Sequence, residues 1–396
     1  MIGCTKLLCG TATVSEAIKY RRDSAKLPPH LLQFSADDRP LVVWNMTNRC
    51  NLKCRHCYTD AEEKAAANEL TTAEAKAFIN DLAAMKVPVL LFSGGEPLVR
   101  EDVFILAAAA AQQGLRPVLS TNGTLITPAV AEQLRQAGFQ YVGVSIDGAS
   151  ATHDSFRGIP GAFDQALRGL KHAQAAGLKT GIRFTLHKQN YRDLPEILEL
   201  AAREGVPRFC IYHLVYAGRG KSLADMDITP EQSREVMETI IGKTLAFKRR
   251  AVNMEILTTD NHADGIYILR YLRKFQPERV AEVKDLLKMH GGCSAGQKMA
   301  NVNHQGYVHA CQFWTHHPLG NIREEKFSTL WTGQQNEFLC SLRNKPLHLG
   351  GRCGKCVYRD YCGGCRIRAQ AVHGDLWGED PACYLTDEEI SEETVG

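Results

Sequence analysis

Three cysteines within eight residues, in the run CNLKCRHC at Cys50, Cys54 and Cys57, constrain this chain more than any other feature. Thiols spaced C-x3-C-x2-C suit a shared metal better than the disulfide staples of a large fold. Fourteen cysteines occur among 396 residues, and a second bunch follows at Cys353, Cys356, Cys362 and Cys365. The opening residues MIGCTKLLCGTATVSEAIKYRR lack the apolar centre of a signal peptide. No apolar run of about 18 residues is present to span a membrane. The expected compartment is therefore the cytoplasm, where clustered thiols serve as metal ligands. A formal net charge of +3 gives no electrostatic case for nucleic acid as a partner.

From residue 40 the chain falls into a rhythm. The short apolar runs LVVWNMT, VPVLLFS, RPVLST, YVGVSID, LKTGIRFTL and PRFCIYHL read as strands. Between them lie amphipathic helical stretches such as TTAEAKAFINDLAAMK, opened by Thr71 or Thr72 as a cap, and TPAVAEQLRQAG, with Pro128 early and Gly138 at its end. Six strands alternating with five helices over residues 40–214 imply an α/β fold with a parallel sheet and right-handed crossovers. Residues 1–39, with LPPH and SADD turn signals, read as an N-terminal extension. Residues 215–290 read as a helical bridge, residues 291–385 as a small domain stabilised by metal, and residues 386–396 as a mobile acidic tail.

The cysteine motif sits just after the first strand, where such folds place chemistry. Three thiolates can bind three irons of a cubane and leave the fourth open to chelate a small molecule through an amine and a carboxylate. The alternative is a zinc knuckle with His56 as the fourth ligand, although His56 lies between Cys54 and Cys57 in a poor position to close a tetrahedron.

This motif, followed by Tyr58, resembles the signature of the radical S-adenosylmethionine (SAM) superfamily, whose aromatic residue normally precedes the third cysteine. The resemblance continues along the chain. Ser93-Gly94-Gly95-Glu96-Pro97 after the second strand looks like the loop that holds the SAM amino group, and Thr121-Asn122-Gly123 follows the third strand. Ser145 and Asp147 after the fourth are implied to face the SAM ribose, and Arg183 on the fifth to meet the SAM carboxylate. For Asp147 and Arg183, ordinary strand-end capping is the competing reading. The implied SAM-binding set is Gly94, Gly95, Glu96, Asn122, Ser145, Asp147 and Arg183, beside a 4Fe-4S cluster on Cys50, Cys54 and Cys57. The segment HDSFRG at 153–158 also matches the superfamily, in a structural role. The implied architecture is a partial (β/α)6 barrel.

Cys293 and Cys311 flank Gly306, and Cys353-x2-Cys356-x5-Cys362-x2-Cys365 precedes Cys383. This resembles the SPASM domain, a C-terminal extension carrying auxiliary 4Fe-4S clusters. The resemblance implies one cluster on Cys353, Cys356, Cys362 and Cys383. It implies a second on Cys293, Cys311 and Cys365, with one iron lacking a cysteine. The spacing before the penultimate cysteine is one residue shorter than in that family, so the expectation is one or two auxiliary clusters. A zinc ribbon is the alternative. Of the other cysteines, Cys210 reads as a buried small hydrophobe, Cys4 and Cys9 read as structural or without a role, with a functional reading kept open by their place beside the N-terminal signature, and Cys340 carries no assignment.

The stretches MIGCTKLLCG and LLQFS resemble the tetrapyrrole-modifying radical SAM enzymes of the alternative heme pathway and of heme d1 synthesis, the siroheme-derivative deacetylases above all. That resemblance implies removal of two acetate side chains from 12,18-didecarboxysiroheme to give Fe-coproporphyrin III. It also implies a flavodoxin- or ferredoxin-type electron donor. Candidates to grip or stack on such a substrate are Tyr212, His213, Tyr216, Arg219 and Lys221, and Trp314, His316 and His317. Two other readings stand beside it: a peptide maturase forming crosslinks, and a non-enzymatic iron–sulfur carrier. A maturase usually carries an N-terminal peptide-recognition domain, for which residues 1–39 are too short. A carrier has no use for the loops around Glu96 and Asp147.

Overall fold

The computed structural model describes residues 1–10 and 39–391. The expected LLQFS, LPPH and SADD signals and the last five residues lie outside the described residues. Ten strands form one sheet: β1 Leu41–Asn45, β2 Leu90–Ser93, β3 Pro117–Thr121, β4 Tyr141–Ser145, β5 Thr180–Thr185, β6 Arg208–Tyr212, β7 Glu255–Thr259, β8 Met299–Val302, β9 Tyr307–His309 and β10 Pro318–Asn321. Their spatial order is β10-β9-β8-β1-β2-β3-β4-β5-β6-β7. Strands β1 to β7 are parallel neighbours, as the alternation of strand and helix demands.

The helices follow their sequence signals closely. Thr71 caps Thr72–Ala84 in a capping box with Glu74, and Thr127 caps Pro128–Gln136 with proline in the first turn. They cover one face of the sheet. Trp44 on that face is fully buried against Phe78 and Phe92, with ring centroids 5.7 and 5.6 Å away. The opposite face carries a separate apolar cluster of Val89, Val118 and Tyr141, with Leu41 and Leu91 packed on it. Both faces of these strands are thus buried, which is why they read as continuous apolar runs rather than alternating ones.

Three features depart from the expectations. The stretch read as a helical bridge contains β7, which extends the parallel sheet to a seventh strand. Its residues EILTT escape an apolar-run search because Glu255, buried, lies 3.6 Å from Arg208. Second, β8 pairs in parallel with β1, from Leu41–Met299 to Trp44–Val302, so the cysteine-rich C-terminal part joins the sheet by backbone hydrogen bonds. Third, the tail is not wholly loose: Asp387–Ser391 is helical, Ile390 is buried, and Glu389 pairs with Arg234 and Arg270. At the N-terminus, Ile2 exchanges backbone hydrogen bonds with Thr258 on the β7 edge, and the helix Cys4–Cys9 packs beside it. Cys4 is fully buried there, and burial pushes its thiol well up.

Candidate active site

The expected motifs after β1, β2, β3 and β4 all leave the sheet at the C-terminal ends of the strands, because parallel strands put their following loops there. The loops enclose a cleft of about 950 Å³. Its walls include Cys50, Cys54, Cys57, Gly94, Gly95, Asn122, Ser145 and Arg183.

The cysteine loop is held from two sides. The amide of Gly95 donates to the Thr47 carbonyl (2.8 Å) and that of Glu96 to the Arg49 carbonyl (2.8 Å). Asn122 Nδ2 donates to Asn51 Oδ1 (2.9 Å), and Asn51 Nδ2 to Thr124 Oγ1 (2.9 Å). Each sulfur lies near a donor: the Leu52 amide for Cys50 (3.4 Å), Arg157 Nη1 for Cys54 (3.6 Å), and the Ala61 amide for Cys57 (3.4 Å). Sulfurs surrounded by donors suit thiolate ligands. Burial, followed by the Glu96 carboxylate, pushes the bare Cys50 thiol up to about 12, so a metal must displace its proton. His56 does not close the site as a fourth ligand. Its ring stacks on Phe156 at 4.4 Å, with Nε2 3.8 Å from the Asp147 carboxylate.

Two residues expected in the cleft stand behind its wall. Glu96 is fully buried and accepts from the Leu98 amide (3.1 Å), Thr121 Oγ1 (2.8 Å) and the Asn122 amide (2.8 Å). It ties the second loop to the third. Asp147, expected to face a ribose, is also fully buried; it pairs with Arg157 and accepts the Thr185 amide at 2.7 Å. Burial is the largest influence and pushes its carboxyl up, but Arg157, His56, His153 and the Thr185 amide together outweigh it and hold it at about 2. Ser145 alone of that pair reaches the cleft.

Arg183 lies over the Tyr212 ring at 4.4 Å and, among the described residues, pairs with no carboxylate. A half-buried guanidinium in that state is a ready partner for a ligand's carboxylate. With Tyr212, Asp260 and Gln312 it also borders a second cavity of about 910 Å³ inside the sheet's curve. Leu41, Val43, Val89, Leu91 and Val118 make that cavity apolar, and Arg208 adds a cation. Cys210, expected as a buried hydrophobe, is buried and lines it too.

Of the other expected substrate contacts, Tyr212, His213 and Arg219 line the cleft, but the polar groups of several are already bonded within the protein. His213 bonds Asp264 (2.9 Å), Tyr216 donates to Asp227 (2.7 Å), and Arg219 donates to the carbonyls of Cys54 (3.0 Å) and Ala61 (2.9 Å). Trp314 is fully buried, while Lys221, His316 and His317 are exposed. Sequence reasoning missed Arg157, Tyr58, Gln312 and Phe313 as cleft residues. The Tyr58 hydroxyl donates to Asn45 Oδ1 (3.0 Å), and its ring meets Phe313 edge-on at 5.2 Å. Tyr58 is an aromatic displaced by two places in the cysteine motif, from just before Cys57 to just after it, which was the available signal.

In the C-terminal part, Cys353, Cys356, Cys362 and Cys383 border one cavity of about 490 Å³. The amides of Tyr358 and Asp380 donate to Cys356 and Cys353, each at 3.4 Å. Gly364 has φ +57, and a Cβ there would lie 3.2 Å from the Cys353 sulfur, so glycine leaves this space open. Cys293, Cys311 and Cys365 pack in a different cluster with Trp314. The Cys293 amide donates to the Cys362 carbonyl (3.1 Å), which joins the two groups. Cys340 stands apart, donating to the Gln334 carbonyl. Among the described residues, no three His, Cys, Asp or Glu side chains are gathered tightly enough to hold a single metal ion.

The radical SAM superfamily pattern matches residues 44–201, and the SPASM iron–sulfur cluster-binding domain matches residues 293–357. The Fe-coproporphyrin III synthase of Methanosarcina barkeri (strain Fusaro / DSM 804) is 52% identical over 98% of this chain and 99% of its own. The chain belongs to the radical SAM superfamily. This radical SAM protein is also 42% identical to the pre-heme d1 synthase of Dinoroseobacter shibae (strain DSM 16493 / NCIMB 14021 / DFL 12), over 93% of this chain and 91% of that one. It is 38% identical to an AdoMet-dependent heme synthase of M. barkeri, over 87% and 95%. Among solved structures, SuiB of Streptococcus suis bound to its precursor peptide matches with a TM-score of 0.70 at 19% identity, over 88% of this chain and 76% of that one. Native anSMEcpe with bound AdoMet matches at 0.67 and 18%, over 89% and 95%. These two likenesses establish the partial-barrel fold of the radical SAM protein and nothing finer. Among the described residues no helix is long and apolar enough to cross a membrane.

Proposed function

We propose that this radical SAM enzyme removes two acetate side chains from 12,18-didecarboxysiroheme, giving Fe-coproporphyrin III. The observation that carries the proposal is the 52% identity to an Fe-coproporphyrin III synthase over nearly the whole of both chains. The cavities are compatible with it. A cleft and an apolar cavity share the Arg183–Tyr212 wall.

Cys50, Cys54 and Cys57 would hold a 4Fe-4S cluster. Gly94, Gly95, Asn122, Ser145 and Arg183 would hold SAM beside it. Glu96 and Asp147 would act from behind by fixing the loops. With cluster and SAM bound, the site supplies a 5′-deoxyadenosyl radical, which can take a hydrogen from a C–H bond that has no usable acidity. The chain's part is to orient and to exclude water. Leu41, Val43 and Val89 give a flat macrocycle an apolar bed, while Arg183 suits a carboxylate substituent. Cys353, Cys356, Cys362 and Cys383 would hold one auxiliary 4Fe-4S cluster, and Cys293, Cys311 and Cys365 a second. A flavodoxin- or ferredoxin-type donor would supply electrons in the cytoplasm.

Anaerobically reconstituted protein should bind more than one cubane's iron per chain and release 5′-deoxyadenosine from SAM under reduction. Cys54→Ala should abolish that release and keep auxiliary iron. Incubation with 12,18-didecarboxysiroheme should remove two acetate groups by mass spectrometry. An unchanged substrate mass while deoxyadenosine still forms would refute the assignment of substrate.

A further inference from the structure

The helix Ser150–Arg157 ends directly on the cysteine loop. The amide of Arg55 donates to the Phe156 carbonyl (3.0 Å) and that of Lys53 to the Arg157 carbonyl (3.3 Å). Gly158, at φ +78, then turns the chain away where a Cβ would sit 2.7 Å from the Lys53 carbonyl oxygen. Backbone bonds therefore already dock helix on loop, and the Arg157 side chain adds something different. Its guanidinium, 10% exposed, places Nη1 3.6 Å from the Cys54 sulfur, and Nη2 pairs with the carboxylate of Asp147, which is 0% exposed. Asp147 is itself fixed to the end of β5 and to the same helix: its Oδ1 accepts the Thr185 amide at 2.7 Å, and its own amide donates to His153 Nδ1 at 3.0 Å.

Burying a guanidinium is unfavourable unless its partners compensate. Here one fixed cation is shared between a sulfur and one fixed anion. A hydrogen bond to a ligating sulfur, and the net charge beside a cluster, are the levers by which a protein sets iron–sulfur potentials. An electron added to a cluster adds negative charge. A cation at one of its sulfurs favours the reduced form, and an anion behind that cation opposes it.

We propose that Arg157 and Asp147 act as an opposed pair that sets the reduction potential of the cluster held by Cys50, Cys54 and Cys57. The proposal rests on the cluster assignment above. Arg157 is a positioning residue that acts through Cys54, and it stays protonated throughout: one electron arrives from the external donor and no proton moves. Nothing in composition or strand rhythm points to this role, because Arg157 lies in HDSFRG, a segment that reads as structural.

The test is a mediated dithionite titration of the reconstituted full chain, followed by electron paramagnetic resonance, using the signal that SAM addition alters. Arg157→Gln should shift the midpoint to more negative potential, and Arg157→Lys should fall between it and the native protein. Asp147→Asn should shift the midpoint the other way, because the cation loses its counter-charge. A docking role alone would lower iron occupancy in both variants without opposed shifts. Opposed shifts support the pair. Unmoved midpoints, or shifts of one sign, overturn it. Where Arg157→Gln fails to retain the cluster, the Lys and Asp147→Asn arms decide by the same signs. A native protein whose SAM-sensitive signal survives Cys54→Ala would instead show the cluster assignment to be wrong.

Discussion

Replacing Gly95 with alanine should separate the loops that bring SAM-binding and cysteine residues together. An ideal Cβ at position 95 would lie 2.1 Å from the Arg49 carbonyl oxygen and 2.7 Å from its carbon. Both atoms are backbone, so neither can rotate away, and the cysteine loop must move by about 1 Å to reach ordinary contact. Overpacking of that kind costs about 1–3 kcal/mol, and a misplacement of about 1 Å at a reacting centre costs on the order of 100-fold in rate. Gly114→Ala is the control for backbone strain without a clash. Unlike Gly95 it has positive φ, +82, and a Cβ there meets nothing within 4 Å. Its cost is the left-handed backbone alone, about 1–2 kcal/mol. Both variants should melt below the native protein by thermal shift. Only Gly95→Ala should lose SAM affinity by calorimetry and deoxyadenosine production by about 100-fold. Native SAM binding and cleavage in Gly95→Ala would refute the claim that these two motifs function through mutual backbone contact.

Two further outcomes follow from buried groups. His187 stacks on Phe156 at 3.8 Å, and burial lowers its pKa from 6.5 to about 4. The unfolded chain takes up that proton first, so the stability this residue contributes is present above about 6.5 and lost as pH falls toward 4. His187→Phe should therefore remove about 2 kcal/mol of the stability lost between pH 7.5 and 5, by urea midpoints at the two pH values; an unchanged difference would contradict the burial argument. Arg368 is fully buried and donates to both Asp380 oxygens (2.9 Å each), the Leu214 carbonyl (3.1 Å) and the Asp260 carbonyl (2.6 Å). Arg368→Met strands the Asp380 charge and should destabilise by about 3–5 kcal/mol in denaturant unfolding; a loss under 1 kcal/mol would show that water reaches Asp380.

The parallel core was legible because its strands are buried on both faces and its helices carry strong caps, so periodicity and cap chemistry agree. β7 was not, because Glu255 and Thr258–Thr259 break the apolar run and their burial depends on Arg208, nearly fifty residues earlier. Nor was the β1–β8 pairing, since no local pattern announces a partner over 250 residues away. In the site, the residue types were legible but their directions were not. Asp147 reads as a carboxylate at a strand end with a ligand to meet; only the helix end that brings Arg157 inward shows that it is already paired. Arg219 reads as a free cation, and the structure spends its guanidinium on the carbonyls of the cysteine loop.

The same long-range pairing explains why two cysteine-rich parts can serve one cleft. β1 ends five residues before Cys50, and β8 lies beside it, so one set of backbone hydrogen bonds aligns the first cysteine loop with the chain that leads to Cys311. Gln312 and Phe313, next after Cys311, reach the cleft, and Phe313 meets Tyr58 from the first motif. On the far side, Arg368 clasps Asp380, Leu214 and Asp260, of which Asp260 borders both cavities. The C-terminal part is therefore tied in at β1 and at the ends of β6 and β7. Hinge motion about either tie alone would break the other. A substrate entering the apolar cavity meets a wall built jointly by both parts, and its position relative to the first cysteine loop is fixed by the sheet rather than by a flexible linker.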